Sequence, residues 1–553
     1  MTGSSVRPPE ATVLTGFRAR DPNYWLELMC WLVIVLCALQ ISTFSFGRDQ
    51  SIYAVVGDGI LNGRMPYRDL WDFKPPGIFY VHALAQALFG KHMFSVRLLE
   101  VVALLGGVMC LRAISQQFFE NRTVGLAGGA VGALIHAQMD FWHSGQPETF
   151  GAAFTWLALW LTLREPGKRM LWVALGVGLA FGAAALMKPP LGGGAIVAAA
   201  YLAQRARSRE GGLKRALLLT GLVAVGAALP TLLSLLWFWA RGAFGEMYWT
   251  LGEFTPGYTA LSWEGRRAAD MLYHAIEEAF FKFSALSAAG VVAAVAMRPL
   301  FTRERELLFV LLGVIAIQLA GIAMQGKFFA YHYAATLSLI AAIAGLGLYK
   351  LWLRCLQGGV GGIVAFFSFV VVAVPMRYAV RDLPQFFWER CAIRFQFLLQ
   401  SPPYDSREAM DQELSYVADY NLASDRRVAR AVAQRTGSND TVYVWGFEPA
   451  IYWLSARRPA SRYIYNVAQR SSWESEHARR GLMNDLWKRP PKVIVVQARD
   501  VFPSVTGTNT DSRDELPSFP ELYALVRAEY ELVTRVDFFD VYQRRAGSHS
   551  SPP

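Results

Sequence analysis

The sequence predicts a polytopic α-helical membrane protein that ends in a small α/β domain. Hydrophobic residues make up 54% of the 553 residues and charged residues only 18%, whereas soluble domains carry about a quarter charged residues. The charges are also concentrated at one end, because residues 377–553 hold 46 of the 97 Lys, Arg, Asp and Glu side chains. This composition argues against a soluble enzyme and excludes a disordered chain. It divides the protein into an apolar region, 24–376, and a charged region, 377–553.

About eleven apolar runs are candidates for membrane spans. The first, Tyr24 to Phe44, follows a short basic tail, residues 1–23, that has no signal-peptide cleavage site. We therefore expect a retained anchor. The other runs lie near 96–116, 123–139, 149–164, 170–187, 190–204, 216–240, 281–297, 307–325, 333–349 and 358–376.

The charges of the connecting loops predict the orientation of the chain. Cytoplasmic loops of membrane proteins carry an excess of Lys and Arg, and every second loop here is basic, most strongly between Arg205 and Arg215. The pattern places the N-terminal tail in the cytoplasm and, after an odd number of spans, residues 377–553 outside the membrane. Orientation also accounts for the net charge of +11. No basic stripe with interleaved aromatic residues indicates a nucleic-acid partner.

One apolar segment, residues 75–90, does not fit the series of spans. It is too short to cross a bilayer comfortably and begins with two prolines, and a span here would invert every later loop. We interpret it as a juxtamembrane helix that lies against the outer leaflet. The first outer loop, 45–95, is then unusually long, and long ordered loops commonly carry function.

The charged region alternates short strands and helices. Thr441–Trp445 and Lys492–Gln497 are apolar, β-branched runs typical of buried strands. This alternation predicts a small α/β domain. Helices are expected at 448–455, 472–488 and 518–529, and a terminal strand or hairpin near 531–544.

Ionisable and aromatic residues recur in the loops expected on the outer side. They are Asp49 directly after the first span, Glu148 at the start of a later helix, Lys188 before two prolines, and the segment 326–333. Each has a simple structural explanation: a carboxylate paired with Arg48, an acid at a helix N-terminus, a snorkelling lysine and an aromatic belt. Their convergence on one side at one depth favours a functional site, because ionisable residues at the membrane boundary are candidates by default.

A series of short motifs within residues 45–340 carries a family resemblance. They are the carboxylate after the first span, Gly63…Met65-Pro66-Tyr67-Arg68-Asp69…Lys74-Pro75-Pro76-Gly77, Phe89-Gly90…Arg97, Gln146-Pro147-Glu148, Lys188 and Lys327…His332-Tyr333. This series resembles the GT-C membrane glycosyltransferases, in particular the branch that holds aminoarabinose transferases and protein mannosyltransferases. The later segment Val442-Tyr443-Val444-Trp445-Gly446 resembles the outer domain of many bacterial members. The resemblance implies a bacterial inner-membrane protein whose C-terminal domain is periplasmic.

The resemblance also implies an activity. Members of this fold take a sugar from a polyprenyl-phosphate lipid and transfer it to an acceptor outside the cytoplasmic membrane. Asp49 then matches the general base, Glu148 matches an acid that orients the acceptor or shares that role, and Lys74 matches a cation near the lipid phosphate. Further cations expected near that phosphate are Arg48, Lys188 and Lys327. Substrate contacts are expected from Tyr67, Asp69, His143, Tyr331, His332 and Tyr333.

The chemistry of such a transfer needs these residue types. Attack at the anomeric carbon builds an oxocarbenium-like centre and releases a phosphate, so a base is required on one side and cations on the other. Because the polyprenyl chain of the donor stays in the bilayer, the site is expected at membrane level.

The sequence leaves several alternatives open. Some relatives use a divalent metal ion, for which Asp49, Glu148 and His332 are the available ligands, and the metal requirement stays open. The sugar and the acceptor, whether lipid, glycan or protein, are also open, since Glu148 stands where the aminoarabinose branch typically has aspartate. A lipid or sugar transporter without transferase activity is the main rival. It is less favoured because transporters place polar residues near the midplane in repeated halves, and neither feature is evident.

Overall fold

The computed structural model describes residues 22–547, apart from residues 166, 168, 209–211, 283–284, 375–383 and 419. Almost all of the predicted cytoplasmic tail, 1–23, and the predicted domain boundary at 376–377 lie outside the described residues. The helices of the first region are α1 Pro22–Thr43, α2 Arg48–Leu61, α3 Gly77–Phe89, α4 Met93–Phe119, α5 Arg122–His143, α6 Pro147–Leu163, α7 Met170–Met187, α8 Gly194–Ser208, α9 Gly212–Ala240, α10 Phe244–Tyr248, α11 Thr255–Ala260, α12 Ala268–Glu277, α13 Ala285–Ala296, α14 Glu304–Gln325, α15 Ala334–Leu356 and α16 Gly359–Ala373.

The predicted helical region is confirmed, because each of the eleven apolar runs falls mainly within helices. Six helices of the described chain are long and apolar enough to cross a membrane, or seven if the bent pair Ala268–Phe280 and Ala285–Ala296 forms one span. The number eleven therefore stays a prediction. The segment interpreted as a juxtamembrane helix is helical as α3, which at 13 residues is shorter than a span.

Glycines allow close contact between helices of the apolar region. A Cβ atom on Gly178 of α7 would lie 2.2 Å from the carbonyl oxygen of Val223 on α9, and one on Gly226 would lie 2.4 Å from that of Leu175. Lipid tails supply no hydrophobic driving force between helices, so small residues and close backbone contact hold such pairs together. This packing fixes α7, and with it Lys188, which follows its last residue.

Side-chain contacts join several of the connections between the long helices. Arg122 pairs with Glu27 at the start of α1, and Arg303 pairs with Glu165. Arg97 at the start of α4 donates to the carbonyl oxygens of residues that follow α1 and precede α6. These contacts tie Arg122 to α1, the connection after α6 to that before α14, and α4 to the segments after α1 and before α6.

The charged region forms the predicted small α/β domain around a five-stranded sheet. Its strands are β1 Thr441–Trp445, β2 Arg458–Pro459, β3 Val493–Gln497, β4 Tyr530–Val536 and β5 Phe539–Arg544, in the order β2-β1-β3-β5-β4. β1 is parallel to β2 and β3, and β5 is antiparallel to both of its neighbours. The two predicted buried strands and the terminal hairpin are confirmed. The helices are α17 Pro384–Leu398, α18 Arg407–Glu413, α19 Leu422–Arg435, α20 Ala450–Ser455, α21 Val467–Arg470, α22 Glu476–Lys488, α23 Pro503–Thr506, α24 Ser512–Glu515 and α25 Pro520–Glu529.

The α/β domain packs directly on the first long loop of the membrane region. The backbone N–H of Trp71 donates to the carbonyl oxygen of Arg462 over 2.8 Å, and the fully buried Trp71 ring lies 5.8 Å from the ring of Tyr463. Near the end of α5, the carboxylate of Asp140 pairs with Arg390 and Arg394 of α17. The loop at 45–92 and the α/β domain therefore share one core and lie on the same side of the helices.

Candidate active site

Polar residues from separate connections meet around the ring of Tyr331, between the ends of the long helices and the α/β domain. The ammonium group of Lys74 donates to the Tyr331 hydroxyl over 3.3 Å. Lys188 pairs with Glu148, and its ammonium group lies 6.0 Å from the centre of the Tyr331 ring. Burial acts to lower the pKa of Lys74, but the charges of Asp49 and Glu148 raise it above its ordinary value. The structure thus brings both predicted acids to the same lysine.

Asp49 is oriented by the connection that precedes α6. It lies in the first turn of α2, where the helix dipole favours a carboxylate. The side chain of Gln146 donates to Asp49 Oδ2 over 3.2 Å and accepts from the hydroxyl of Tyr53 over 3.0 Å. Gln50 adds a second link, because its amide donates to the carbonyl oxygen of Ser144 over 2.6 Å. These bonds hold the start of α2 against the neighbouring connection.

Glu148 and Lys188 form a buried ion pair with one carboxylate oxygen to spare. Pro147 is the first residue of α6, a position that suits proline, so Glu148 lies in the first turn. Its Oε1 atom accepts from Lys188, whereas the buried Oε2 atom accepts no hydrogen bond from any residue that the structure describes. Burial lowers the pKa of Lys188 to about 8, although Glu148 opposes that change. A buried acceptor without a donor costs free energy, so a substrate hydroxyl would be stabilised here.

A third carboxylate, Asp72, adjoins Lys74. It is 1% exposed, and it accepts from the hydroxyl of Tyr465 over 2.5 Å and from the backbone N–H of Lys74 over 3.2 Å. Burial raises the pKa of Asp72 to about 6, with Tyr465 and Lys74 acting in the opposite direction and Asp49 in the same one. Its charge therefore changes near neutral pH, and it connects the α/β domain to the lysine.

Imidazole rings complete the surroundings of Tyr331. The ring of His332 stands edge-on to that of Tyr331 with centroids 4.4 Å apart, and its Nδ1 atom lies 2.6 Å from the carbonyl oxygen of Lys327. Since a carbonyl oxygen only accepts, this contact assigns a proton to Nδ1. The ring of His143 lies 6.1 Å from that of Tyr331. Tyr333, by contrast, is fully buried in the core of the helices.

Two of the predicted phosphate-binding cations point elsewhere. The guanidinium group of Arg48 donates to Glu448 Oε1 over 2.9 Å and lies 4.5 Å from the ring centre of Phe502, both in the α/β domain. The ammonium group of Lys327 donates to the carbonyl oxygen of Ser504 over 2.6 Å. Both cationic groups are therefore engaged with the α/β domain.

Two predicted substrate contacts are used within the first long loop itself. Tyr67 is fully buried, and its hydroxyl donates to the carbonyl oxygen of Lys74 over 2.8 Å. Asp69 pairs with Arg68 and accepts from the backbone N–H of Met65 over 2.8 Å. The side chains of Tyr67 and Asp69 therefore shape the loop that presents Lys74, and direct substrate contact by either stays a prediction.

Three residues of this site, Asp72, Gln146 and Tyr465, are not among the predicted site residues. Asp72 stands two residues before Lys74 in an aromatic segment, and this proximity was the available signal. Tyr465 offered none, because its hydrogen bond to Asp72 joins residues 393 positions apart.

The side chains at this site do not fit a divalent metal ion. Across the ranges that the structure describes, no three His, Cys, Asp or Glu residues are grouped so that they could hold one. Of the predicted ligands, Glu148 pairs with Lys188, and the Nδ1 atom of His332 is bound to a backbone carbonyl. The ammonium groups of Lys74 and Lys188 would also repel a dication.

Comparison with known proteins confirms the family resemblance. Residues 73–237 match the family model of dolichyl-phosphate-mannose-protein mannosyltransferases. The chain is 32% identical over 187 residues to the undecaprenyl phosphate-alpha-4-amino-4-deoxy-L-arabinose arabinosyl transferase of Pseudomonas aeruginosa. That match covers 32% of this chain and 32% of the relative, so it spans about a third of the relative's length. The segment matched by the family model contains Lys74, Glu148 and Lys188.

Two solved structures are similar to this chain at low sequence identity. ArnT from Cupriavidus metallidurans in the apo state has a TM-score of 0.49 at 13% identity, over 94% of this chain and 97% of that one. The archaeal oligosaccharyltransferase AglB from Archaeoglobus fulgidus, in complex with an inhibitory peptide and a dolichol-phosphate, has a TM-score of 0.42 at 12% identity, over 86% of this chain and 70% of that one. With its several long apolar helices, this chain is a multi-pass membrane protein that resembles GT-C glycosyltransferases in sequence.

Proposed function

We propose that this protein is a membrane glycosyltransferase that moves a sugar from a polyprenyl-phosphate donor to a lipid, glycan or protein acceptor. The observation that carries the proposal is the grouping of Lys74 and Lys188 with Asp49 and Glu148 around Tyr331 at the helix ends. We also propose that the chain spans the bacterial inner membrane about eleven times, with a cytoplasmic N-terminus and a periplasmic α/β domain.

Contacts between connections support the proposed orientation. Three connections that the loop charges place outside each bond to the α/β domain through one side chain, as Arg48 does to Glu448, Glu246 to Arg462 and Lys327 to Ser504. A domain in contact with all three lies on their side of the membrane. The positive-inside rule makes that side the periplasm.

The transfer needs one bond to form and one to break at the anomeric carbon. The acceptor hydroxyl attacks this carbon, the bond between the carbon and the phosphate oxygen breaks, and the hydroxyl proton passes to a base. Asp49 is the proposed base, because Gln146 orients its carboxylate at the start of α2. The leaving phosphate keeps the bonding electron pair and gains negative charge. Lys74 and Lys188 stabilise that charge.

The remaining groups are assigned by their free bonding capacity. Tyr331 accepts from Lys74, so its own hydroxyl proton is available to donate to a phosphate oxygen. Glu148 holds Lys188 with Oε1 and offers the buried Oε2 atom to a hydroxyl of the acceptor or the sugar. Because Glu148 uses only one oxygen for Lys188, this acid and lysine can serve in one site although they neutralise each other.

The α/β domain takes part by positioning the site. Tyr465 holds Asp72, and Asp72 in turn accepts from the backbone of Lys74. Glu448 binds the guanidinium group of Arg48, the residue directly before Asp49. The domain therefore bonds to the residue directly before the proposed base, and it contacts the proposed phosphate-binding lysine through Asp72.

The first test replaces the proposed base. Asp49→Asn keeps the size of the side chain and removes the proton acceptor, so we expect transfer to fall by about 10²–10⁴-fold, the usual contribution of a general base. The measurement is the transfer of labelled sugar from synthetic undecaprenyl-phosphate donors, each carrying one pentose or hexose, to envelope extract from a strain that lacks the gene.

The matched control is Glu476→Gln, which removes an exposed carboxylate of the α/β domain. It should leave transfer unchanged, and both variants should melt at the wild-type temperature. Full activity in Asp49→Asn would remove Asp49 from the role of base. Absence of transfer by the folded wild-type protein with every donor in the panel would count against the proposed function itself.

A further inference from the structure

A polar cavity lies between the end of α2 and the α/β domain. Its volume is about 310 Å³, and four cations line it together with a single carboxylate, namely Arg64, Lys91, Arg457, Arg458 and Asp58. On α2 it is lined by Val55, Asp58 and Gly59, which follow Asp49 by six to ten residues, or about 9–15 Å along the helix at 1.5 Å per residue. The cavity is therefore distinct from the site around Tyr331.

Two of its cations are already neutralised or bonded. Lys91 pairs with Asp58 over 2.9 Å, and Arg457 donates to the carbonyl oxygen of Thr436 over 2.7 Å. Arg64 and Arg458 make no side-chain hydrogen bond or ion pair with any residue that the structure describes. The lining thus contains two guanidinium groups whose donors are available to a ligand.

These guanidinium groups repel one another. Burial lowers the pKa of the half-buried Arg64, and the charges of Arg458 and Arg489 lower it further, while Asp69 and Asp58 oppose the change. Both of these acids already have a cationic partner, Arg68 and Lys91 respectively. An anion in the cavity would remove this repulsion. Guanidinium forks match the oxygens of a phosphate group in particular.

The position of the cavity selects the source of the anion. Lys91 stands two residues before the candidate span Met93–Phe119, so the cavity opens where that helix leaves the membrane. On the adjacent α3, Leu84 and Leu88 lie on one helical face and are 52% and 59% exposed. At the end of α2, Leu61 is 50% exposed. An apolar surface beside a cationic cavity fits the acyl chains and headgroup of one lipid.

We infer that this cavity binds the phosphate group of a membrane lipid, with Arg64 and Arg458 as its ligands. Inorganic phosphate presents the same oxygen atoms as a lipid phosphate group, so the experiment compares the two as ligands. The inference does not depend on sugar transfer, because binding is measured in the absence of any sugar donor.

The test compares phosphatidic acid, diacylglycerol and inorganic phosphate as ligands of the purified full-length protein, by native mass spectrometry from detergent. We expect retention of phosphatidic acid by the wild type and a loss of affinity of about tenfold or more in Arg64→Gln/Arg458→Gln, as for a charged hydrogen bond. The control Arg480→Gln/Arg527→Gln removes two charges from helices of the α/β domain and should bind phosphatidic acid like the wild type.

The outcomes separate cleanly. The inference would be overturned if the wild type and the Arg64→Gln/Arg458→Gln variant retained phosphatidic acid equally. It would also be overturned if the wild type retained diacylglycerol as strongly as phosphatidic acid. Competition by inorganic phosphate at the concentration of the lipid would overturn the lipid as source. If the double variant fails to fold, the single variant Arg458→Gln, at an exposed position, is expected to weaken the binding of phosphatidic acid as well.

Discussion

Two buried Lys–Glu pairs, one at each end of the helices, differ in how completely they are bonded. At the basic end, Lys350 donates to Glu304 and to the carbonyl oxygen of Ala294, and Glu304 Oε2 accepts from the backbone N–H of Leu300. At the opposite end, Lys188 donates to Glu148, while Glu148 Oε2 is left without a donor among the described residues.

The surroundings of the two pairs differ as well. Lys188 lies near a second cation, since the charge of Lys74 contributes to lowering its pKa. A buried pair with all its bonds made holds helices together, and its polar atoms have nothing left for a ligand. A pair with a spare acceptor and a neighbouring like charge is suited to bind a phosphate and a hydroxyl. A structural ion pair and a binding site can therefore consist of the same residue types, and they differ in whether a donor or acceptor is left for a ligand.

The largest expected effect breaks the structural pair. Lys350→Met leaves Glu304 buried without its cation, which typically costs about 3–5 kcal/mol. We expect a lower melting temperature in detergent by differential scanning fluorimetry, with transfer per folded molecule close to that of the wild type. A wild-type melting curve would show that the pair has no structural role.

The same change at the other pair sharpens the comparison. Lys188→Met should lower transfer by about 10²–10³-fold, because it removes a group that stabilises the leaving phosphate. Its effect on melting should be smaller than that of Lys350→Met, since Lys188 is 15% exposed and Lys350 is 1% exposed. If the two variants lost stability equally and Lys188→Met kept its activity, the proposed distinction would fail.

A smaller effect is expected at the neighbouring lysine. Lys74→Met removes a charged donor worth about 1.5–3 kcal/mol, so the affinity for undecaprenyl phosphate should fall by about 10–100-fold. Native mass spectrometry or competition with a labelled donor measures this affinity. Lys488→Met, at an exposed position of the α/β domain, is the control, and equal affinities of the two variants would refute the assignment of Lys74.

The smallest effect concerns the contribution of the α/β domain. Tyr465→Phe removes the hydroxyl that stabilises the charged form of Asp72, so the pKa of Asp72 should rise from about 6. The bond is worth about 1 kcal/mol, which corresponds to roughly half to one pKa unit. We expect the acidic limb of the pH–rate profile to move to higher pH. Tyr523→Phe, on α25, should leave the profile in place.

Much of the fold could be predicted because it depends on local pattern. Apolar runs predicted the helices, β-branched runs predicted β1 and β3, and two prolines marked the start of α3. Loop charges predict the side of the membrane on which each connection lies, since charge asymmetry acts on each loop separately. Motif resemblance selected Asp49, Lys74, Glu148 and Lys188, four residues that the structure brings together.

The partners of individual charges could not be predicted. Arg48 and Lys74 are both cations of the first long loop, yet one is bound to Glu448 and the other faces Tyr331. Lys327 is likewise drawn to the carbonyl oxygen of Ser504. These contacts join residues between 177 and 400 positions apart, and no local spacing records them.

By itself, the sequence determined where this chain is helical, where it is extended and which connections share a side, because hydrophobic periodicity and charge act over a few residues. Only the tertiary structure decided which acids and cations remain available for chemistry. That availability depends on how many donors and acceptors surround each group after distant segments have met. Tyr465 and Asp72 show the reason most clearly, since neither has a role until the α/β domain packs on the loop.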